Sequence, residues 1–127
     1  INSAEAWQLS NPPILSMAAL RSSIDLFDQV GIKALRQKSK NLTGYLEYLI
    51  QSLNNKKISI ITPKEVNERG SQLSLQIDSK EVDIKEFFKS KNIVCDFRKP
   101  NVIRAAPCAF YNSYSDVYNF VDALKEL

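Results

Sequence analysis

The sequence contains no histidine among its 127 residues. Histidine is the side chain that most often serves as a general base near neutral pH and as a metal ligand, so its absence excludes many catalytic sites. Cys95 and Cys108 are the only cysteines, and two thiols without histidine do not complete a zinc tetrahedron. Serine and cysteine nucleophiles also have no histidine to activate them. The sequence therefore predicts no metal site and no catalytic residue within this chain.

Glycine is also scarce, since Gly31, Gly44 and Gly70 are isolated and no GxGxxG or Walker A motif is present. A glycine-rich loop that would cradle a cofactor phosphate is therefore excluded from this chain. Apolar runs are only a few residues long, and no charged-then-apolar signal opens the chain, so we expect no membrane partner. The two cysteines predict reduced thiols of a cytoplasmic protein, with a disulfide between them as the alternative.

Charge of one sign is not in large excess. The chain has 17 lysine and arginine residues against 14 aspartate and glutamate residues, which gives a net charge of +3. The two signs are interspersed, which indicates an ordinary solvated surface rather than a nucleic-acid groove. A cationic stretch from Lys33 to Lys40 is the feature that favours nucleic acid, and a solvated helix face is the simpler explanation. We therefore expect no nucleic-acid partner.

The hydrophobic pattern alternates between helical and strand periods. After the helix-starting Pro12-Pro13, apolar steps of three and four predict a helix to about residue 28, ended by Gly31. The other predicted elements are a helix at about 32–53, strands at Ile58–Ile60 and Leu73–Ile77, a short helix carrying Ile84, Phe87 and Phe88, strands at Ile93–Cys95 and Val102–Ala105, and a final helix after Ser113. This order predicts the α+β class, with helices packed on one face of a mainly antiparallel four-stranded sheet.

Two of these helices have sequence signals for their first residues. Ser79 or Asp83 can cap the short helix, because serine and aspartate oxygens accept hydrogen bonds from unpaired backbone N–H groups. Ser113 and Asp116 have the spacing of a capping box, which predicts where the final helix begins.

Arg104 is the candidate binding residue, because it lies within an apolar predicted strand. A guanidinium there needs water, a partner charge or a ligand, and its planar fork fits a carboxylate through two parallel hydrogen bonds. The pattern alone leaves open whether Arg104 lies on an ordinary exposed sheet face or binds a ligand. Asp96 and Arg98 are interpreted as a solvated turn pair.

Ser10 and Asn11 are two further candidates, because they directly precede the double proline. They either cap the helix that follows or face a ligand from a rigid loop. Trp7, in the arm before them, indicates that this arm docks against another surface, since an exposed indole on a flexible tail is unusual.

Several short motifs occur in one order along residues 7–118. They are Trp7–Ile14, Leu42–Leu49, Ile61–Pro63, Glu68–Leu73, Val94–Arg98, Pro100–Pro107, Tyr111-Asn112-Ser113 and Asp116-Val117. A strand arginine followed by a Tyr-Asn turn and a final helix resembles the C-terminal motif of class V fold-type I pyridoxal-phosphate enzymes. Within that branch the set resembles the kynureninase family. Residues 105–110 are smaller and more varied than the family pattern, which concerns packing rather than Arg104.

The resemblance implies the C-terminal small domain of a longer enzyme, with residues 1–11 as an N-terminal arm from the large domain and 12–127 as the small domain. The implied reaction is hydrolysis of L-kynurenine to anthranilate and L-alanine, or of 3-hydroxykynurenine to 3-hydroxyanthranilate, in tryptophan catabolism and NAD biosynthesis. The implied cofactor is pyridoxal 5'-phosphate, and the lysine that binds it belongs to the large domain. This chain alone is therefore expected to be inactive and without bound cofactor.

The resemblance also implies roles for the three candidate residues. Arg104 matches the arginine that binds the substrate α-carboxylate, whereas Asn11 and Ser10 match residues that face the aryl end of the substrate. The implied partners are L-kynurenine, the large domain and a second copy of the enzyme in a homodimer. The alternative is a stand-alone α+β module that uses Arg104 to bind an amino acid.

Overall fold

A computed structural model describes residues 2–78 and 83–127 of the chain. The chain divides into two compact units, Ile1–Ala34 and Leu35–Leu127. The predicted boundary at residue 11 concerns a longer protein and stays a prediction.

The first unit holds a 3₁₀ turn at Ala4–Trp7 and helix α1 at Ile14–Val30. Helix α1 ends at Val30, two residues beyond the predicted end near residue 28, and Gly31 follows as the predicted stop. The φ of Gly31 is 81°, which favours glycine, and its N–H donates to the Phe27 carbonyl at 2.7 Å. In α1, which the structure describes in full, no residue is buried. Its apolar side chains are exposed, among them Ile14, Leu15, Met17, Leu20, Ile24 and Leu26.

The remaining elements follow in the predicted order. They are α2 (Ile32–Ser52), β1 (Ile58–Ile60), β2 (Leu73–Ile77), α3 (Ile84–Ser90), β3 (Asp96–Arg98), β4 (Val102–Ala105) and α4 (Tyr114–Leu124), with a 3₁₀ turn at Val66–Glu68. Within the described ranges the sheet has four strands in the order β1-β2-β4-β3, and every pairing is antiparallel. The predicted α+β class is therefore confirmed.

The two faces of the sheet differ in polarity because side chains alternate along each strand. Leu73, Leu75 and Ile77 of β2 are buried, and Ile103 and Ala105 of β4 lie beside them in register. Helices α2, α3 and α4 complete this core, with Leu42, Leu46, Ile50, Ile84, Phe88, Val117, Phe120, Val121, Ala123 and Leu124. The opposite face, here called the polar face, carries Ser59, Ser74, Gln76, Asp96, Arg98 and Arg104, with Val102 as its apolar member.

The predicted strand at Ile93–Cys95 is wrong, because the structure places β3 at Asp96–Arg98. The short 99–101 connection fixes the hairpin register, in which Arg98 pairs with Val102 and Asp96 pairs with Arg104. The run of three apolar residues was misleading, since Val94 is fully exposed. The polar-apolar-polar alternation of 96–98 is the signature of a half-buried strand.

The hydrogen bonds at the first residues of α3 and α4 test the predicted helix caps. The Asp83 carboxylate accepts from the N–H groups of Lys85 at 3.0 Å and Glu86 at 3.2 Å, and it caps α3. Ser79 lies outside the described residues. At α4 the Ser113 hydroxyl accepts from the Asp116 N–H at 3.2 Å, while the Asp116 carboxylate accepts from the Ser113 N–H at 2.7 Å. This capping box confirms the start of α4.

A buried ion pair attaches the 61–72 connection to α2. The side chain of Arg69 is 3% exposed and pairs with Glu47 of α2, while its Nη1 donates to the Pro63 carbonyl at 3.2 Å. Arg36, also on α2, donates to the carbonyls of Val66 and Arg69, each at 3.0 Å. Two arginines therefore satisfy three backbone oxygens of this connection, those of Pro63, Val66 and Arg69.

None of the helices among the described residues is long and apolar enough to cross a membrane.

Candidate functional site

Arg104 lies at the centre of the polar face. Strand β4 has neighbours on both sides, and the register sets Arg104 opposite Ser74 of β2 and opposite Asp96 of β3. Its own neighbours Ile103 and Ala105 are buried in the core, which fixes the backbone from which the arginine projects. The Arg104 side chain is 36% exposed, so it is held by the sheet and still accessible from solvent.

Arg104 is paired with a carboxylate of its own chain. Its Nε and Nη2 both contact Oδ2 of Asp96, and the Nε of Arg98 donates to the same oxygen at 3.1 Å. The hydrogen bond from Arg104, followed by that from Arg98, lowers the pKa of Asp96 below its ordinary value of 3.8. The three side chains form a cluster, here called the charge triad, whose formal charge is +1.

The sequence interpretation of Asp96 and Arg98 as a solvated turn pair missed this cluster. Both residues lie in β3, and Asp96 faces Arg104 across the hairpin. The alternation of charged and apolar residues around Phe97, with the short connection that follows, was the signal that could have located it.

An open cleft of about 1020 Å³ extends from Asp96 and Arg104 of the charge triad to α4. One wall is the 91–96 segment with Arg104 and Ala105, and the other wall is α4. Its lining includes Asp116 and Asp122 of α4 and Glu126 just beyond that helix, the last paired with Lys91 at 2.6 Å. The cleft therefore has Arg104, paired with Asp96, at one end, and Asp116 and Asp122 of α4 on its other side.

The turn between β4 and α4 is held by reciprocal hydrogen bonds. Asn112 Oδ1 accepts from the Cys108 N–H at 2.8 Å, and the Asn112 N–H donates to the Cys108 carbonyl at 2.9 Å. A side-chain hydrogen bond with Cys108 also raises the pKa of the Tyr111 hydroxyl. This turn fixes the path from the strand that carries Arg104 to the first residue of α4.

Ser10 and Asn11 lie in the first unit, before α1, and both are exposed. The Ser10 carbonyl accepts from Gln8 Nε2 at 2.8 Å. Helix α1 starts after Pro13, and no side chain of the described residues caps it, so the capping interpretation is wrong. Their role toward the aryl end of a substrate stays a prediction.

Both cysteines are free, which overturns the disulfide alternative. Burial, with a smaller effect of the Asp96 charge, raises the pKa of the half-buried Cys95 thiol. Among the described residues, no group of three or more cysteine, aspartate or glutamate side chains is placed to hold a metal ion.

Comparison with known proteins finds the same family in each case. Residues 35–124 match the family model of the kynureninase C-terminal domain. The chain is 52% identical over 122 residues to the kynureninase of Myxococcus xanthus (strain DK1622), covering 96% of this chain and 29% of that protein. It is 47% identical over 118 residues to the kynureninase of Koribacter versatilis (strain Ellin345), covering 93% and 28%.

A third relative, the kynureninase of Xanthomonas oryzae pv. oryzae (strain PXO99A), is 46% identical over 125 residues, which cover 96% of this chain and 30% of that protein. The chain thus spans less than a third of the length of the relatives that it matches. The family model covers most of the second compact unit, including the whole sheet and the charge triad. The chain belongs to the kynureninase family and corresponds to its C-terminal domain.

Proposed function

We propose that this chain supplies the substrate-binding arginine to a pyridoxal-phosphate enzyme that hydrolyses L-kynurenine or 3-hydroxykynurenine at the Cβ–Cγ bond. The observation that carries the proposal is Arg104 itself, a half-exposed guanidinium held on a sheet at the end of a cleft. The products are L-alanine and anthranilate or 3-hydroxyanthranilate.

The electrostatics of the charge triad support a role in carboxylate binding. One carboxylate lies between two guanidinium groups, so a net positive charge remains for a ligand. A charge-assisted hydrogen bond to a carboxylate contributes about 1.5–3 kcal/mol. Binding of the amino-acid end at Arg104 would fix the orientation of the substrate.

The pyridoxal 5'-phosphate group does not fit the cleft of this chain. Lys91, the lysine in the described lining, is already paired with Glu126 at 2.6 Å, and the neighbouring Asp116 and Asp122 give a phosphate no positive charge to bind. We therefore assign the cofactor to the part of the relatives' length that lies outside this chain. The chain alone is then inactive.

The remaining assignments follow the family. Ser10 and Asn11 face the aryl end of the substrate, residues 1–11 form an arm of the large domain, and 12–127 form the small domain. The functional assembly is a homodimer in the cytoplasm, consistent with the free thiols of Cys95 and Cys108. Nucleic acid is not among the partners.

A chimera tests the proposal: this chain replaces the matching 122 residues of the M. xanthus kynureninase. The chimera is expected to hydrolyse kynurenine, detected by the fluorescence of anthranilate. Arg104→Lys should lower kcat/KM at least on the order of tenfold, because an ammonium group does not reproduce the planar fork. Arg21→Lys, at an exposed ion pair on α1, is the matched control and should leave kcat/KM unchanged.

Two results would contradict this function. One is a chimera that does not hydrolyse kynurenine, and the other is an Arg104→Lys variant with unchanged kcat/KM. Calorimetric binding of kynurenine or alanine to the 127-residue chain at micromolar affinity would instead favour a stand-alone amino-acid-binding module.

A further inference from the structure

The ion pair between Asp96 and Arg104 uses only one edge of the Arg104 guanidinium. Nε and Nη2 of Arg104 both contact one oxygen of Asp96, so the Nε edge of the fork is occupied. Among the residues that the structure describes, Nη1 of Arg104 has no hydrogen-bond partner. The edge formed by Nη1 and Nη2 is therefore the one at which a second carboxylate can bind end-on.

The same contacts restrict the movement of the arginine. A long arginine side chain has many rotamers, and binding a ligand with a mobile side chain costs conformational entropy. Asp96 is opposite Arg104 in the β3–β4 register, so the backbone of the sheet holds both ends of the pair. The guanidinium is thus held in place before any ligand arrives.

Arg98 offsets the negative charge of Asp96, which would otherwise weaken the attraction of Arg104 for an anion. Its Nε donates to the same Asp96 oxygen at 3.1 Å, and its side chain is 60% exposed. Without Arg98, Asp96 and Arg104 would cancel each other's charge. With Arg98, the cluster keeps a charge of +1 and attracts an anionic ligand.

We propose that Asp96 is a positioning residue, which holds Arg104 by its Nε edge and presents the Nη1–Nη2 edge to the α-carboxylate of the amino-acid substrate, while Arg98 offsets the charge of Asp96. The inference rests on the proposed function and adds two residues and a binding edge to it. A purely structural exposed ion pair would contribute little to stability, and it would have no effect on substrate binding.

The first arm of the test uses the 127-residue chain. In a ¹⁵N–¹H spectrum the Nε–Hε signal of Arg104, assigned with Arg104→Lys, is expected to exchange slowly with water. Asp96→Asn should shift this signal and speed its exchange, whereas Glu86→Gln, which removes a charge from an exposed pair on α3, should not. An Arg104 signal that is the same in the Asp96→Asn variant would overturn the pairing.

The second arm uses the chimera. Asp96→Asn should raise KM for kynurenine on the order of tenfold with a much smaller change in kcat, because a displaced guanidinium weakens binding. Asp96→Glu, which keeps the charge, should recover part of the loss, and Arg98→Gln should raise KM by a smaller factor. Glu86→Gln should change neither constant.

The outcomes separate this inference from the proposed function. If Arg104→Lys impairs the chimera and Asp96→Asn leaves KM unchanged, the positioning role is wrong and the arginine assignment stands. If Arg104→Lys has no effect, the proposed function fails as well. A variant of Asp96 that unfolds the chimera is distinguished by the NMR arm, which reports on the pair in the chain itself.

Discussion

The charge of the polar face depends on a few side chains, and protonation of Asp96 at low pH changes that charge. Its pKa in the folded chain is lowered by hydrogen bonds from Arg104 and then Arg98. A lowered carboxyl pKa means that the ionised form stabilises the fold at pH values above its ordinary pKa. This contribution is lost as the pH falls through the lower, folded-state pKa.

A titration of the Asp96 side-chain carboxyl by ¹³C NMR checks this directly. The expected pKa lies below 3.8. Arg104→Gln should raise it, because the strongest hydrogen bond to the carboxylate is removed, whereas Arg21→Gln on α1 should leave it in place. An Asp96 pKa at or above 3.8 in the unmodified chain would contradict the pairing.

The capping box of α4 is a second property of individual residues. Ser113→Ala removes the oxygen that accepts from the Asp116 N–H, and it should reduce the free energy of unfolding by about 1 kcal/mol. The measurement is a urea transition followed by circular dichroism. Ser115→Ala, an exposed serine in the first turn of the same helix, is the control. Equal losses in the two variants would show that the box does not stabilise the helix.

Contacts between residues that are close in sequence could be predicted, whereas contacts between strands could not. Ser113 and Asp116 could be predicted because a cap depends on residues three positions apart. The Asp96–Arg104 pair depends on the register of two strands, and an error of three residues in locating β3 was enough to conceal it.

At the scale of elements, the 61–72 connection depends on α2. Arg69 is nearly inaccessible and Glu47 is mostly so, with 3% and 18% of their side chains exposed. Removing one partner of a buried pair leaves the other charge without compensation. No local pattern predicts this pair, because Glu47 and Arg69 are 22 positions apart.

Arg69→Met should therefore reduce the free energy of unfolding by on the order of 3 kcal/mol. The double variant Arg69→Met/Glu47→Leu should recover part of that loss, because no unpaired charge remains. Urea transitions of the two single variants and the double variant form a cycle that measures the coupling. Additive losses would mean that the two side chains do not interact.

At the scale of the whole molecule, the hydrophobic core belongs to the second compact unit. Every buried apolar residue among those described lies at position 35 or later. The order of the elements could be predicted because the apolar period changes from helical to alternating and back along the chain. The division into two units could not, since it depends on which apolar side chains become buried, and the stripe of α1 looks like a core-facing stripe in sequence.

A chain of residues 32–127 should therefore fold without α1. We expect a cooperative urea transition and a well-dispersed ¹⁵N–¹H spectrum, because the sheet and all the core residues are retained. Removing residues 114–127 instead should abolish the transition, since α4 contributes five buried residues to the core. A shortened 32–127 chain without a cooperative transition would contradict the assignment of the core.

The strand order has a consequence for the behaviour of many copies together. The outer strands of the described sheet, β1 and β3, have only three residues each, and β3 alternates a carboxylate and a guanidinium on one side. Outer strands this short give an approaching chain few backbone hydrogen bonds to form, and the charges of β3 disfavour pairing at that edge further. The molecule is thereby protected from growing, strand by strand, into a continuous β-ribbon.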